Sequence, residues 1–244
     1  MRYLQDDAGP GRVGILFAVP HELGSVLWRM GDVRRDLIGG VPAFAGILGG
    51  RETVVMAAGM GEAVAGSAGE LLAQVPRLSR VWIAGYGGGL DPGLRRGDVV
   101  VAPVFPSGFS PPSLGRGRRA VAGNILHVSR VIGGAADKAR LFRESGALCC
   151  EMESGVIGPI ADRLGIPWGG VRAISDAASE DLPVALLDAS WDARASKPTP
   201  GKLLWAMARR PRGAVAFLRF VSGLGLAREN LGRVLEELVA AGPQ

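Results

Sequence analysis

Cys149-Cys150-Glu151-Met152-Glu153-Ser154, then Val171-Arg172-Ala173-Ile174-Ser175-Asp176, is the stretch whose reading decides the fold. The apolar run Ala147 to Cys150 reads as a strand. Ser154 to Leu164 reads as an amphipathic helix stopped by Gly165 and Pro167, and Trp168 to Ile174 as a second strand. Taken as a parallel βαβ unit, both strands end on one side of the sheet, so Glu153 and Asp176 face one crevice. Two carboxylates at neighbouring strand ends point to polar chemistry.

The same alternation extends outward. Val13 to Val19 is a continuous apolar run, typical of a buried strand, followed by Pro20-His21-Glu22 and an expected helix from Leu23 to Met30. Glu22 is therefore a third acid past a strand end, or else a first-turn carboxylate favoured by the helix dipole. Phe44 to Leu48 and Thr53 to Ala58 pair through the turn Gly49-Gly50-Arg51-Glu52. Ala58-Gly59-Met60-Gly61 leads into a helix from Glu62 to Gln74, a glycine turn able to approach an anion or a ribose. The strand Arg80 to Ala84 runs into Gly85-Tyr86-Gly87-Gly88-Gly89-Leu90, read as a loop whose backbone can press on a ligand. Strands from Val99 to Pro103 and Asn124 to Ile132, and a helix from Ala135 to Ser145, complete the approach to the opening stretch. Ser107 to Arg119 reads as a surface loop. Helices from Gly201 to Ala208, Pro211 to Ser222 and Leu226 to Ala240 follow, with Arg209, Arg210 and Arg212 between them.

The 244 residues are 48% hydrophobic and 21% charged, with net charge +5. These values fit one globular α/β domain spanning 1–244, with a core over about 12–185 and a helical extension over about 200–240. The arginines are scattered and no basic run is interleaved with aromatics, which argues against nucleic acid. Cys149 and Cys150 are adjacent and point to opposite faces of a strand, so they read as buried thiols of a reducing compartment. There is no CxxC or HExxH, the Gly59–Gly61 turn is not a conventional GxGxxG, and His21 and His127 stand apart, so neither a metal nor a dinucleotide cofactor is expected. Without an apolar leader or a run of ~20 apolar residues, a cytoplasmic protein is expected. The basic terminal helices could lie on a membrane surface, but their apolar spacing favours packing on the sheet or on a partner subunit.

Several carboxylates, glycine tracts and no metal suit glycoside-type cleavage, in which one acid assists the leaving group and another activates water. Glu151-Met152-Glu153-Ser154, Gly165-Ile166-Pro167 and Val171 to Asp176 together resemble the nucleoside phosphorylase/nucleosidase superfamily. The nearest likeness is to bacterial 5′-methylthioadenosine/S-adenosylhomocysteine nucleosidases, with futalosine hydrolase and the hopanoid-associated phosphorylases as relatives. Gly85 to Leu90, Gly97-Asp98-Val99-Val100, Gly14 to Glu22 and Ala58 to Gly61 fall in the corresponding order.

The resemblance implies a three-layer α/β/α sandwich with a twisted mixed central sheet, a homodimer, a small nucleoside substrate and no cofactor. It implies that Asp176 donates a proton to purine N7 with Ser175 orienting it, and that Glu22 deprotonates the attacking water. Glu153 would hold the ribose hydroxyls, with Met152 and Val19 against the sugar, Arg172 near Glu153 or the water, and Tyr86 and Gly87 lining the glycine tract. Tyr86 stands where nucleosidases commonly carry Ser or Thr. To act as an acid Asp176 must hold a proton, which burial beside Glu153 or Glu22 favours. Glu151 alternates to the opposite face and is expected to be structural. A phosphorylase, with Arg51 and Arg95 as candidate phosphate ligands, and a nucleoside-binding protein without turnover are the competing readings.

Overall fold

Val13, Ile15 and Phe17 alternate with Gly14 and Leu16, and this period of two fixes the layering. The first set joins a core cluster shared with the C-terminal helix. Leu16 joins a second cluster on the other face. The computed structural model describes residues 11–59, 63–103, 109–192 and 197–241.

In chain order, β1 (Arg12–Phe17) and the short helix α1 (Pro20–Leu23) precede β2 (Gly31–Ile38), β3 (Val41–Leu48) and β4 (Arg51–Ala57). Then come α2 (Ala63–Gln74), β5 (Leu78–Gly89), β6 (Val99–Ala102), β7 (Ala120–Ala122), β8 (Ile125–His127) and α3 (Ala135–Ser145). β9 (Cys149–Glu151), α4 (Ser154–Arg163), β10 (Trp168–Asp176), α5 (Val184–Ser190), α6 (Pro200–Arg209) and α7 (Pro211–Ala241) follow. Among the described residues the main sheet is 10-stranded in the order β2-β3-β4-β1-β5-β10-β6-β7, with β9 paired to β5 and to β8. β1, β4, β5 and β10 are parallel at its centre, and β2–β3–β4 form an antiparallel meander.

Residues of α2 and α4 (Ala68, Leu71, Leu72, Ile157 and Ala161) cover one face with Val81 and Ile83 of β5. Ala227, Leu231, Val234, Leu235 and Leu238 of α7 cover the other with Trp82 and Ala84. The result is the three-layer α/β/α sandwich with a mixed sheet. The C-terminal half of α7 thus belongs to the main core, and Asn230 Nδ2 donates to Gly97 O at 2.8 Å to hold it there.

Several local expectations are corrected. Pro20 sits in the first turn of α1, whose preset φ starts the helix early, and Gly24 caps it. The segment 23–30 is therefore not one helix, and Glu22 lies inside α1; only a 3₁₀ turn at Leu27–Arg29 follows. β2 was not legible because it is mostly exposed and polar, as edge strands are. Asn124 to Ile132 contracts to β8. The terminal helices expected on either side of Gly223 and Gly225 are one helix, since packing on the sheet offsets the roughly 1 kcal/mol cost of each interior glycine. Met60 and Gly61 of the first glycine turn lie outside the described residues.

The largest correction concerns the opening stretch. β5 continues through the glycine tract, pairing Gly85 with Arg172 and Gly88 with Asp176 in parallel with β10. β9 runs antiparallel to β5, pairing Cys149 with Gly89 and Cys150 with Gly88. β9 and β10 therefore point opposite ways, and β9–α4–β10 is not a parallel βαβ unit. The chain after Cys150 travels back along β5 towards the level of Arg172, away from Asp176.

Candidate active site

Glu22 is placed by the turn from β1 into α1. Its Oε2 accepts the N–H groups of Ala18 and Val19, both at 3.1 Å, and its Oε1 accepts that of Tyr86 at 2.9 Å. Burial pushes its carboxyl above the usual range. The hydrogen bonds from Tyr86, Val19 and Ala18 and the Arg172 charge oppose this. A Cβ at Gly85 would lie 2.8 Å from both Glu22 Oε1 and Arg172 Nη1, so only glycine lets these groups converge across β5.

Arg172 projects from the centre of β10 and is 1% exposed. Its Nη2 donates to Glu151 and, at 3.2 Å, to Glu153 Oε2. Among the described residues, Nε and Nη1 have no hydrogen-bond partner, and neither does the buried Tyr86 hydroxyl. Burial tends to raise the Glu151 carboxyl. The Arg172 charge and the Ser154 hydrogen bonds outweigh that and hold it well below the ordinary range. Glu153 goes the other way: burial, with Glu151 and Glu22 adding to it, raises its carboxyl against the pull of Arg172. Glu151 thus does not turn away from the site. Its strand ends there, and the bend at Met152–Glu153 breaks the alternation that would have separated the two acids. Met152 is half-buried, its N–H 3.4 Å from Glu153 Oε2, and Val19 is half-buried at the N-cap of α1.

Asp176 ends β10, about 13 Å along the strand from Arg172 at ~3.3 Å per residue. The register slips between Ile174 and Asp176, and such bulges re-aim side chains beside sites. Ser175 Oγ lies 2.5 Å from Asp176 Oδ1 and 3.2 Å from Gly87 O; with one proton it donates to one of them at a time. On its other oxygen, Oδ2, Asp176 receives Lys138 Nζ of α3 at 2.5 Å. The charged group touching Asp176 is therefore an ammonium, not Glu153 or Glu22 as expected.

The structure brings Glu22, Tyr86, Arg172 and Glu153 together at one end of the candidate site, adds Glu151, and sets Ser175, Gly87 and Asp176 at the other. Lys138 was missed although a signal existed. It is one of three lysines in an arginine-rich chain and shares a helical face with Leu141 and Phe142. Arg51 opens β4 at the N-terminal edge of the parallel strands, the edge opposite the cleft. Arg95 is exposed on the turn before β6.

A mixed sheet between helical layers, with acids gathered beyond β1, β9 and β10, is the nucleoside phosphorylase/nucleosidase fold. Residues 110–209 match the family model described as Phosphorylase superfamily, and the resemblance carried by the motifs is borne out. The chain is similar to the 5′-methylthioadenosine/S-adenosylhomocysteine nucleosidase of Mycobacterium tuberculosis, at 28% identity over 70% of this chain and 88% of that one. The Shewanella loihica nucleosidase is 24% identical over 71% and 89% of the two chains. Among solved structures, the Neisseria meningitidis nucleosidase in complex with methylthio-immucillin-A has a TM-score of 0.66 at 20% identity, covering 94% of this chain and 99% of that one. The Helicobacter pylori futalosine hydrolase has a TM-score of 0.64 at 19% identity, covering 94% and 97%.

Proposed function

We propose that this protein is an N-ribosyl hydrolase that cleaves the bond between base and ribose in a purine nucleoside of the 5′-methylthioadenosine/S-adenosylhomocysteine type. The observation that carries the choice of water as nucleophile is the charge of the cleft. Glu22, Glu151 and Glu153 all act on the single guanidinium of Arg172. A phosphate dianion entering there would meet more negative than positive charge, whereas a neutral water meets a carboxylate able to take its proton.

In this reading Glu22, fixed by three backbone donors, orients the water and removes its proton as it attacks C1′. Glu153 accepts hydrogen bonds from the ribose hydroxyls, with Met152 and Val19 against the sugar. Asp176, oriented by Ser175, delivers a proton to N7 so that the base leaves neutral. Arg172 holds Glu153 in place and tempers the field of the three acids. Tyr86 and Gly87 shape the wall between the two ends.

Assaying base release from methylthioadenosine, adenosylhomocysteine, futalosine and inosine, each with and without phosphate, tests the proposal. Free ribose products without phosphate are expected. Strict phosphate dependence with a ribose 1-phosphate product would establish the phosphorylase instead, a reading that draws on the two unpartnered nitrogens of Arg172. Tight nucleoside binding with no base release under either nucleophile would favour a binding protein, for which Tyr86 in the glycine tract is the argument. We further place the protein in the cytoplasm as a homodimer, which the likeness to nucleosidases supports; sedimentation at micromolar concentration checks the dimer. No helix among the described residues is long and apolar enough to cross a membrane.

A further inference from the structure

Lys138 is fully buried, and each proton of its ammonium has an acceptor. Nζ lies 2.5 Å from Asp176 Oδ2, 2.7 Å from Glu180 O and 3.0 Å from Ala177 O. An ammonium carries three N–H donors and a neutral amine two, so three acceptors around one nitrogen define the charged form. A buried cation also requires a buried counter-charge, and Asp176 is the carboxylate in contact with it. The cage is braced from outside. Glu180 accepts the Ala177 N–H at 2.8 Å and Arg96 Nε at 2.6 Å, and Asp181 accepts the Ala135 N–H at the start of α3. The other titratable group beside the pair is the Cys150 thiol of β9, which burial and Asp176 push up to about 11 and keep neutral.

This arrangement poses a problem for the proposed reaction. A carboxylate paired with an ammonium has no proton of its own to give, yet the departing base needs one. We propose that Lys138 supplies it, acting through Asp176 as the positioning residue and proton source of the leaving-group end. The inference rests on the hydrolase reading above. As the C1′–N bond breaks with its electron pair passing to the base, an N–H bond of Lys138 breaks and an O–H bond forms on Asp176 Oδ2. That O–H bond then breaks as N7 gains the proton. Water adds hydroxide to C1′ and leaves its proton on Glu22. Lys138 ends as an amine and Glu22 as an acid, and solvent restores both when the products leave. The lysine thus lets an ionised aspartate serve as an acid at neutral pH.

The test compares pH profiles of the full chain with Lys138→Met and Lys138→Arg. Without the ammonium, Asp176 must take its proton from solvent. Lys138→Met should therefore lose about 10²-fold in kcat at neutral pH, recover as the pH is lowered, and keep KM within about threefold. Lys138→Arg restores a buried cation that cannot give up a proton, so it should hold Asp176 ionised and remain at least as slow as Lys138→Met at neutral pH; wild-type turnover in Lys138→Arg would overturn the relay. A Lys138→Met profile lowered equally at every pH would overturn the proposal, because that is what a purely structural lysine produces. A second measurement needs no turnover. With ¹³C-carboxyl aspartate and Asp176→Asn for assignment, Asp176 should stay ionised through neutral pH in the wild type and titrate in Lys138→Met. A protonated Asp176 in the resting wild type would overturn the relay. Failure of the wild type to release any base would instead overturn the hydrolase reading itself.

Discussion

The two ends of the cleft handle charge differently. At one end a single guanidinium serves Glu151, Glu153 and Glu22, so the acids outnumber the cation and their carboxyls diverge, Glu151 held down and Glu153 and Glu22 pushed up. At the other, one carboxylate meets one ammonium in a closed cage. The difference teaches that burying several acids beside one base produces groups able to accept a proton, while a matched pair holds its carboxylate charged. Pairs of titratable groups driven apart by their environments are how acid and base roles are divided at one pH.

Breaking the leaving-group end should have the largest effect. Asp176→Asn is expected to lower kcat by about 10³- to 10⁴-fold with little change in KM, since binding survives and only proton delivery is lost. Near-wild-type turnover in a base-release assay would remove Asp176 from the mechanism. Glu22→Gln should follow, at about 10²- to 10³-fold. A base must be ionised to act and its carboxyl is raised, so in the wild type the acid-side fall of kcat/KM should lie above the ordinary carboxyl value of 4.5. The Gln variant should lack that limb.

Glu151→Gln sharpens the comparison through stability. Removing one partner of a buried ion pair costs about 3–5 kcal/mol, on the order of 10 °C in Tm for a chain of this size. Glu151 binds its proton less tightly when folded than when unfolded, so its stabilisation is complete above the unfolded value of 4.5 and fades as the pH falls through the lower folded value. The Tm gap between variant and wild type should close accordingly in acid. Leu231→Ala, in the α7 half of the core, should cost about 2–5 kcal/mol in chemical denaturation while leaving the pH profile alone. Tyr86→Phe should change least. Its buried hydroxyl has no partner among the described residues, so stability should hold or rise by about 1 kcal/mol.

Much of the frame was legible. Continuous apolar runs marked β1, β4 and β10. The segment read as a helix from Ala135 to Ser145 is α3 with its observed ends, and the Met-Glu and Ser-Asp motifs pointed to the superfamily. The misreadings share a cause. Gly85 to Gly89 looked like a loop because glycine disfavours strands in isolation, yet pairing with β9 and β10 on both sides holds them extended. β9 looked parallel because strand direction leaves no trace in three residues of sequence. Lys138 was passed over because nothing local shows that its helix faces an aspartate 38 positions further along the chain.

By itself the sequence determined the alternation of strands and helices, the fold class and the identity of the acids, because side-chain periodicity and residue chemistry are local. Only the tertiary structure decided how those acids are grouped. The antiparallel course of β9 carries Glu151 and Glu153 back to Arg172 and leaves Asp176 to Lys138. The charge on a buried carboxylate is set by whichever partner the fold brings within hydrogen-bond reach, and that partner can come from anywhere in the chain.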